Sequence, residues 1–211
     1  MSLIICGDVH GKTKEFSRIV EKHPDDYIVQ IGDFGFKDSH EWVLSKRQSN
    51  IKVLLGNHDD YAYLNREHSL GNWGTRHLGP DSFFCVRGGL SIDKKWRTAG
   101  LDWWCNEELS PLEMIRCLAD YKAASPSLMI SHEAPIVAMK ALYGAKYEAG
   151  NKFIEENYGV KVPSETANLL EHCWQAHRPK VWVTGHHHQS FRKNIGGCEF
   201  IMLDELETIK I

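Results

Sequence analysis

Residues 3–11 read LIICGDVHG, in which four apolar residues and a glycine precede an aspartate and a histidine. A short apolar run of this kind is typical of a buried strand, and the glycine interrupts it. Asp8 and His10 stand two positions apart, which lets both side chains face one side of an extended chain. Since a carboxylate and an imidazole are both good ligands for a metal ion, this strand end is a candidate metal site.

The same order of apolar strand, glycine and ligand-type residue recurs later in the chain. It is found in YIVQIGD at 27–33, IKVLLGNHD at 51–59 and VWVTGHHH at 181–188, while LMISH at 128–132 has serine in the glycine position. The ligand-type residues at these strand ends are Asp33, Asn57, His58, His132, His186 and His188. Chance does not readily produce five such strands in one chain, so we expect their ends to meet at one site.

The segments between the strands predict how the strands are connected. Helical periodicity at 15–20 and a short apolar helix at 41–46 separate the first three strands. This alternation predicts a parallel sheet with right-handed crossovers, in which ligands bind at the carboxyl ends of the strands. The first three strands would thus bring their ligand-type residues to one edge.

The rest of the chain predicts a second sheet and further helices. A capping box with proline at the first helical position begins a helix at Ser110 that continues to about residue 122, and another helix is predicted at 165–176. A short helix is predicted at 59–67, a β-rich segment at 76–93 and two or three antiparallel strands at 190–211. We therefore predict an α/β fold, a two-sheet β-sandwich flanked by helices.

Composition excludes several classes of protein. The chain has 211 residues, of which 42% are hydrophobic and 25% charged, as expected of one globular domain covering residues 1–211. The formal net charge of −3 provides no basic footprint for a dedicated nucleic-acid binder. No apolar run approaches the roughly 20 residues of a membrane span, and no signal peptide is recognisable. We expect a cytoplasmic protein with no membrane partner, in which the six scattered cysteines are reduced.

The strand-end residues together predict a centre with two metal ions. Two carboxylates, one amide and five imidazoles are too many ligands for one ion and suit two. Asp33 stands alone at its strand end and could bridge ions about 3.5–4 Å apart. Two divalent ions and two aspartates leave a local charge of about +2, which suits a phosphate group. The mixed oxygen and nitrogen ligands favour manganese first, with iron, zinc, cobalt or nickel as alternatives, over magnesium or calcium.

These five blocks, in this order across residues 7–188, resemble the calcineurin-like metallophosphoesterase superfamily, particularly its small phage and bacterial members. The resemblance implies a β-sandwich flanked by helices, with a dinuclear metal centre at one edge. It implies a first metal site formed by Asp8, His10, Asp33 and His188 and a second formed by Asp33, Asn57, His132 and His186. It also implies that a water or hydroxide between the ions attacks phosphorus. His58, held by Asp59, would protonate the leaving-group oxygen as a general acid.

The chain departs from the serine/threonine protein phosphatase branch of that superfamily. That branch has an aspartate-arginine-glycine sequence after its second block, whereas residues 34–37 here read FGFK. It also has glutamate after its asparagine-histidine pair, where this chain has Asp59. Both departures, with the compact length, favour a phosphodiesterase or broad phosphoesterase acting on small or nucleotide-like substrates.

Several alternatives remain open at this point. The enzyme alternatives are a phosphomonoesterase or a protein phosphatase of the same superfamily. A non-catalytic scaffold with this fold would be expected to have lost ligands or the histidine at position 58, but this chain retains all eight residues. A nuclease subunit would need a basic groove, which the net charge does not support.

The sequence leaves the roles of the Trp103–Trp104 loop and of His187 open. In the loop WRTAGLDWW at 96–104, the rings of Trp103 and Trp104 either pack within the loop, the more common case, or stack against a substrate base. His187 lies between two predicted ligands and would point away from them if the segment were extended, so we assign it no role.

Overall fold

The computed structural model describes residues 1–46 and 49–211, and strands alternate with helices through its first part. The strands are Leu3–Cys6 (β1), Tyr27–Gln30 (β2), Ile51–Val53 (β3), Trp73–Leu78 (β4), Asp81–Val86 (β5), Leu128–Ser131 (β6), Val181–Thr184 (β7), Phe191–Ile195 (β8), Cys198–Met202 (β9) and Thr208–Lys210 (β10). The α-helices are Thr13–Lys22 (α1), Lys37–Lys46 (α2), Pro111–Ala124 (α3), Ile136–Tyr143 (α4), Tyr147–Tyr158 (α5) and Glu165–Ala176 (α6). Short 3-10 helices lie at Tyr61–Tyr63, Lys94–Trp96 and Gly144–Lys146.

The strands form two sheets, as predicted. The first has the order β10-β1-β2-β3, in which β1, β2 and β3 are parallel and β10 is antiparallel to β1. The second has the order β4-β5-β6-β7-β9-β8, with a parallel centre and an antiparallel strand at each edge. Parallel strands of one sheet end at the same edge, so β1, β2 and β3 deliver their following loops together, and β6 and β7 do the same.

Three apolar clusters show that the sheets pack face to face with helices outside. The alternation along β1 makes this clear, because Leu3 and Ile5 belong to the cluster between the two sheets, whereas Ile4 and Cys6 pack with α1 and α2. A third cluster lies between the second sheet and helices α3, α4 and α6. The predicted two-sheet sandwich flanked by helices is confirmed.

Most of the predicted helices are present. The capping box forms at Ser110, whose hydroxyl accepts a hydrogen bond from the Glu113 N–H, and α3 follows it for 14 residues. Helix α6 has the predicted bounds, and α2 begins four residues before the predicted segment at 41–46. Of the described helices, none is both long enough and apolar enough to cross a membrane.

The helix predicted at 59–67 is wrong, since only the 3-10 helix Tyr61–Tyr63 is found there. Its continuation is prevented by the next few residues, which run alongside β3. The Val53 N–H donates to the His68 carbonyl at 2.8 Å, and the Leu70 N–H donates to the Val53 carbonyl at 2.9 Å. A tertiary pairing with the sheet edge therefore takes the place of helical hydrogen bonds.

The carboxyl-terminal segment, predicted to form two or three strands, forms three and divides them between the sheets. Strands β8 and β9 form an antiparallel hairpin around Gly196 and Gly197, and β9 lies parallel to β7. The chain then crosses to the first sheet, where β10 pairs antiparallel with β1. This crossing connects the second sheet to the first.

Candidate metal centre and active site

The predicted ligands lie together at the edge where both sheets end. The first sheet contributes the residues after β1, β2 and β3, and the second contributes those after β6 and β7. In the part of the chain that the structure describes, two groups of side chains have the geometry of a metal site. Asp8, His10, Asp33 and His188 form the first, and Asp33, His132 and His186 form the second.

The first group is compact. His188 Nε2 lies 3.1 Å from Asp8 Oδ2, and His10 Nε2 lies 3.7 Å from the same oxygen. The two imidazole Nε2 atoms are 2.9 Å apart, and Asp33 Oδ2 is 3.8 Å from His10 Nε2. Two nitrogens and two carboxylate oxygens thus face a common centre.

The second group uses the other oxygen of the same carboxylate. His132 Nε2 lies 3.2 Å from Asp33 Oδ1, 3.1 Å from Asn57 Oδ1 and 3.2 Å from His186 Nδ1. Asp33 therefore presents Oδ2 to the first group and Oδ1 to the second. This is the arrangement of a carboxylate that could bridge two ions.

The close spacing of the atoms around His132 Nε2 is better explained by a bound cation than by hydrogen bonds alone. His132 Nε2 carries at most one hydrogen, yet three potential acceptors surround it at 3.1–3.2 Å. A single hydrogen cannot satisfy all three contacts, whereas a cation among them would accept a lone pair from every one. The residues present therefore fit two metal ions that share Asp33.

A buried hydrogen-bond chain determines which atom Asn57 presents. The Asn57 amide nitrogen donates to Ser91 Oγ at 3.2 Å, and the Ser91 hydroxyl donates to the buried Glu107 carboxylate at 2.6 Å. With its nitrogen occupied, the side chain turns its oxygen towards His132. An amide oxygen is the atom a metal ion takes from asparagine.

The electrostatics of the centre favour positive charge. Burial would raise the pKa of Asp33, but the surrounding imidazoles, His132 foremost with His58 and His186, together outweigh burial and hold that pKa well below its ordinary value. Burial would lower the pKa of His132, but Asp33 and Asp8 outweigh it and raise that pKa to about 10. The buried carboxylates thus retain a proton on His132 at neutral pH, and a metal ion would take the place of that proton.

Four of the predicted ligands have backbone conformations that L-residues rarely adopt. The φ angles are 47° at His10, 54° at Asp33, 66° at His186 and 47° at His188. Such conformations cost roughly 1–3 kcal/mol each and persist where the surrounding structure imposes them. They redirect each side chain at the point where its strand ends, so the strand-end segments are turned and not extended.

The glycines of the strand-end blocks are required by close approach. A Cβ at Gly32 would lie 2.1 Å from His132 Nδ1, one at Gly56 would lie 2.2 Å from Asp33 Oδ1, and one at Gly185 would lie 2.3 Å from Asp8 Oδ1. In each case the obstructed atom belongs to a ligand from another strand. Only glycine leaves room for these ligands to cross the neighbouring backbone.

His58 belongs to neither metal group but lies beside both. Its backbone N–H donates to Asp33 Oδ1 at 2.7 Å, and its ring packs edge-on against His10 with centroids 5.3 Å apart. Arg97 Nη2 contacts the His58 ring at 2.9–3.1 Å, and Asp93 holds Arg97 through two bonds of 2.7 and 2.8 Å. Burial and the charge of Arg97 lower the pKa of His58, while Asp33 opposes them.

Asp59, expected to hold His58, acts on the backbone and not on the His58 ring. Both Asp59 oxygens are engaged elsewhere, since Oδ1 accepts from the Gly35 N–H at 2.9 Å and Oδ2 from the Gly56 N–H at 2.6 Å. His40 Nε2 also lies 3.2 Å from Oδ1. Asp59 therefore holds the loop that carries His58, and the residue against the His58 ring is Arg97.

Glu133 and His187 were missed as site residues. Glu133 is buried, with Oε2 3.4 Å from His186 Nε2 and Oε1 3.0 Å from His187 Nε2. It can orient a ligand imidazole from behind, as carboxylates commonly do for metal-binding histidines. The sequence signal for Glu133 was its position directly after His132. His187 points towards α4 because its flanking residues have positive φ.

Trp104 of the aromatic loop packs within the fold. The ring centroid of Trp104 lies 5.9 Å from that of Phe36 and 6.3 Å from that of Tyr61. Among the described residues, neither Trp103 nor Trp104 lines the two cavities that open at His10 and His58. The structure thus favours the packing interpretation over base stacking.

Comparison with known proteins connects this geometry to a family. The family model described as calcineurin-like phosphoesterase matches residues 1–190. No curated protein matches the chain.

Solved structures with a similar fold share little sequence with the chain. Phosphopantetheinyl hydrolase from Mycobacterium tuberculosis is 13% identical with a TM-score of 0.49, covering 97% of this chain and 89% of its own. An archaeal phosphodiesterase is 13% identical with a TM-score of 0.42, covering 100% and 99%. A predicted phosphoesterase from Streptococcus pneumoniae TIGR4 is 14% identical with a TM-score of 0.43, covering 97% and 72%. At these values the likenesses identify neither substrate nor mechanism.

The close approach at Gly56 predicts that Gly56→Ala loses metal binding. A methyl group there would displace Asp33, which belongs to both metal groups, and His132, which belongs to the second. Elemental analysis of the purified variant should show little bound metal after manganese is supplied. Gly150→Ala is the matched control, because a Cβ at this helical glycine meets nothing within 4 Å. Full metal content in Gly56→Ala would contradict the steric explanation.

The shared carboxylate predicts different metal contents for two ligand variants. Protein supplied with manganese should bind about two ions per chain. Asp33→Asn should reduce metal occupancy at both sites because Asp33 belongs to both groups. His188→Ala should reduce occupancy at the first site only. Elemental analysis and calorimetric titration measure the stoichiometry. If Asp33→Asn lost only one ion, Asp33 would not be the bridge.

Proposed function

Because the chain belongs to the calcineurin-like phosphoesterase family and is a metal-dependent hydrolase, we propose that it is a phosphodiesterase for small or nucleotide-like esters. The observation that carries the proposal is the position of His10 and His58 between two cavities. One cavity of about 720 Å³ extends towards α4 and α5, and another of about 530 Å³ extends towards the start of α2 and the loop at Gly100. A phosphodiester has two substituents on phosphorus, and each cavity could receive one of them.

The proposed centre holds two divalent ions, with manganese as the first choice among the transition metals that suit these ligands. When bound, such ions supply positive charge to the phosphoryl oxygens and lower the pKa of a nucleophilic water. Asp8, His10, Asp33 and His188 would hold one ion, and Asp33, Asn57, His132 and His186 the other. Glu133 and Ser91 would keep His186 and Asn57 in position for the second ion.

His58 would act on the leaving group. Its half-buried ring borders both cavities and lies outside the two metal groups, so an ester oxygen in either cavity could approach the ring on which Arg97 lies. A bound phosphate brings negative charge, which raises the pKa of a neighbouring imidazole and favours its protonated form. His58 would then transfer its ring proton to the departing oxygen as a general acid.

Arg97 and Asp59 would support His58 from two directions. The Arg97 guanidinium, oriented by Asp93, lies against the ring and could donate to a phosphoryl oxygen that approaches it. Asp59 acts through the backbone, because it accepts from the Gly35 and Gly56 N–H groups and so holds the loop that carries His58. In this proposal Asp59 is a positioning residue, whereas Arg97 would both orient the His58 ring and contact the substrate.

A substrate panel tests the proposed reaction. Metal-stripped protein is restored with each divalent ion in turn and assayed on bis(4-nitrophenyl) phosphate, 4-nitrophenyl phosphate and a phosphoserine protein. We expect kcat/KM to be highest for the diester. A comparable value on the monoester or phosphoprotein would favour the monoesterase or protein phosphatase alternative. An absence of turnover with every ion would favour the scaffold.

The proton-donor role predicts that His58→Ala keeps both ions and loses activity in proportion to the leaving group's need for a proton. General acid catalysis contributes about 10²–10⁴-fold, so a loss of that order is expected for alkyl or nucleoside esters. The rate of hydrolysis of nitrophenyl esters should fall less, because nitrophenolate departs without a proton. His77→Ala is the matched control, since this exposed histidine lies on β4 away from the site.

Two results would contradict this role of His58. An equal loss on activated and unactivated esters would leave only charge stabilisation. A loss of metal in His58→Ala would make His58 a ligand.

A further inference from the structure

The larger cavity reaches well beyond the metal centre. Its floor is formed by the predicted ligands and His58, and from there it extends between α4, α5 and the segment at residues 162–164. Its volume of about 720 Å³ lies in the range of pockets that enclose drug-sized molecules. A phosphoryl group alone would occupy only the floor, so the space between the helices is available to the rest of a substrate.

The helical walls of this cavity are mostly apolar and aromatic, with Asn151 and Lys146 as polar residues among them. Helix α4 contributes Met139 and Tyr143, and α5 contributes Tyr147, Ile154 and Tyr158. Met139 and Tyr147 are buried, whereas Tyr143 is 39% exposed and stands at the opening. Flat rings on two adjacent helices are suited to pack against a planar ring.

One polar atom of the wall lacks a partner. The Tyr147 side chain is buried, and its hydroxyl makes no hydrogen bond of good geometry within the described residues. Asn151 lies one turn further along α5 and lines the same cavity; burial raises the pKa of the Tyr147 hydroxyl, and Asn151 opposes that rise. Since a buried hydroxyl without a partner is unfavourable, a ligand atom that bonds to it would be stabilising.

The aromatic wall is connected to the metal centre by hydrogen bonds. The Tyr143 hydroxyl lies 3.2 Å from His187 Nδ1, and His187 Nε2 lies 3.0 Å from Glu133 Oε1. Glu133 in turn contacts the predicted ligand His186. The chain from Tyr143 through His187 to Glu133 therefore fixes the ring at the opening relative to the phosphoryl position.

We infer that this cavity is the subsite for the heteroaromatic base of a nucleotide-like ester and that Tyr143 and Tyr147 determine its specificity. Tyr143 provides a ring face held in register with the metal centre, and Tyr147 with Asn151 provides hydrogen bonds for the polar edge of a base. A simple aliphatic alcohol would leave the Tyr147 hydroxyl without a partner. The inference rests on the proposed function in one respect, namely that the part of the ligand at the metal centre is a phosphoryl group.

Calorimetric titration of manganese-loaded protein tests the subsite without turnover. The probes are the phosphonate analogues of adenosine 5′-monophosphate and ribose 5-phosphate, in which a methylene group replaces the bridging oxygen. We expect the adenosine analogue to bind at least about tenfold more tightly than the ribose analogue, because base stacking on an aromatic ring contributes a gain of that size. Tyr143→Ala should remove most of this preference, and Tyr147→Phe should reduce it by about three- to tenfold through the lost hydrogen bond.

The controls separate a binding role from a structural one. The ribose analogue should bind both variants as it binds the wild type. Tyr121→Phe removes another buried tyrosine hydroxyl, one that bonds to the His177 carbonyl far from the cavity, and should retain the full preference. Equal wild-type affinity for the two analogues, equal losses for both in the variants, or the same loss in Tyr121→Phe would overturn the inference.

The titration and the substrate panel can fail independently. Preference for the adenosine analogue in a protein that hydrolyses no ester would refute the proposed function and support the subsite. Diester hydrolysis without that preference would support the proposed function and overturn the subsite.

Discussion

Two buried carboxylates, Asp8 and Asp33, lie where the two sheets end, and the arrangement around them follows from their charge. A carboxylate removed from water needs a cation or strong hydrogen-bond donors nearby. The structure provides imidazoles from both sheets and backbone N–H groups from the loops of His58 and His186. The raised pKa of His132 has the same cause, because the carboxylates stabilise the positive charge of its protonated ring. A centre of this kind fits metal ions since its ligands already balance a positive charge.

The sheets serve this centre by bringing distant residues to one edge. Leu3, Val29 and Val183 pack in the layer between the sheets, so the ends of β1, β2 and β7 are held at fixed separations by apolar contact. Close packing alone would still not bring the ligands together, because each must pass the backbone of a neighbouring strand. Glycines at those crossings leave the necessary space, and left-handed backbone conformations turn the side chains inward. The apolar core thus offsets the conformational cost of the strand ends.

Phosphoryl chemistry and substrate choice draw on different parts of the fold. The proposed metal ligands and His58 all follow strands, where the backbone is held from both sides. The larger cavity takes its aromatic wall from α4 and α5, which belong to the connection between β6 and β7. His187 joins the two parts because it lies between ligands in sequence and contacts Tyr143 in space. Substitutions in α4 or α5 could therefore change which leaving group the cavity accepts without moving the metal centre.

The sequence by itself determined the two-sheet fold, the capped helix α3 and the residues that converge at the strand ends. These features depend on local patterns, namely apolar runs, the glycine before each ligand and the capping box at Ser110. Only the tertiary structure decided that Arg97 and not Asp59 contacts the His58 ring, that residues 68–70 run beside β3, and that Tyr143 and Tyr147 line the cavity. In each of these cases the partner is remote in the chain or lies on another element, so its contact depends on how sheets and helices pack. Periodicity along the chain carries no information about such distances.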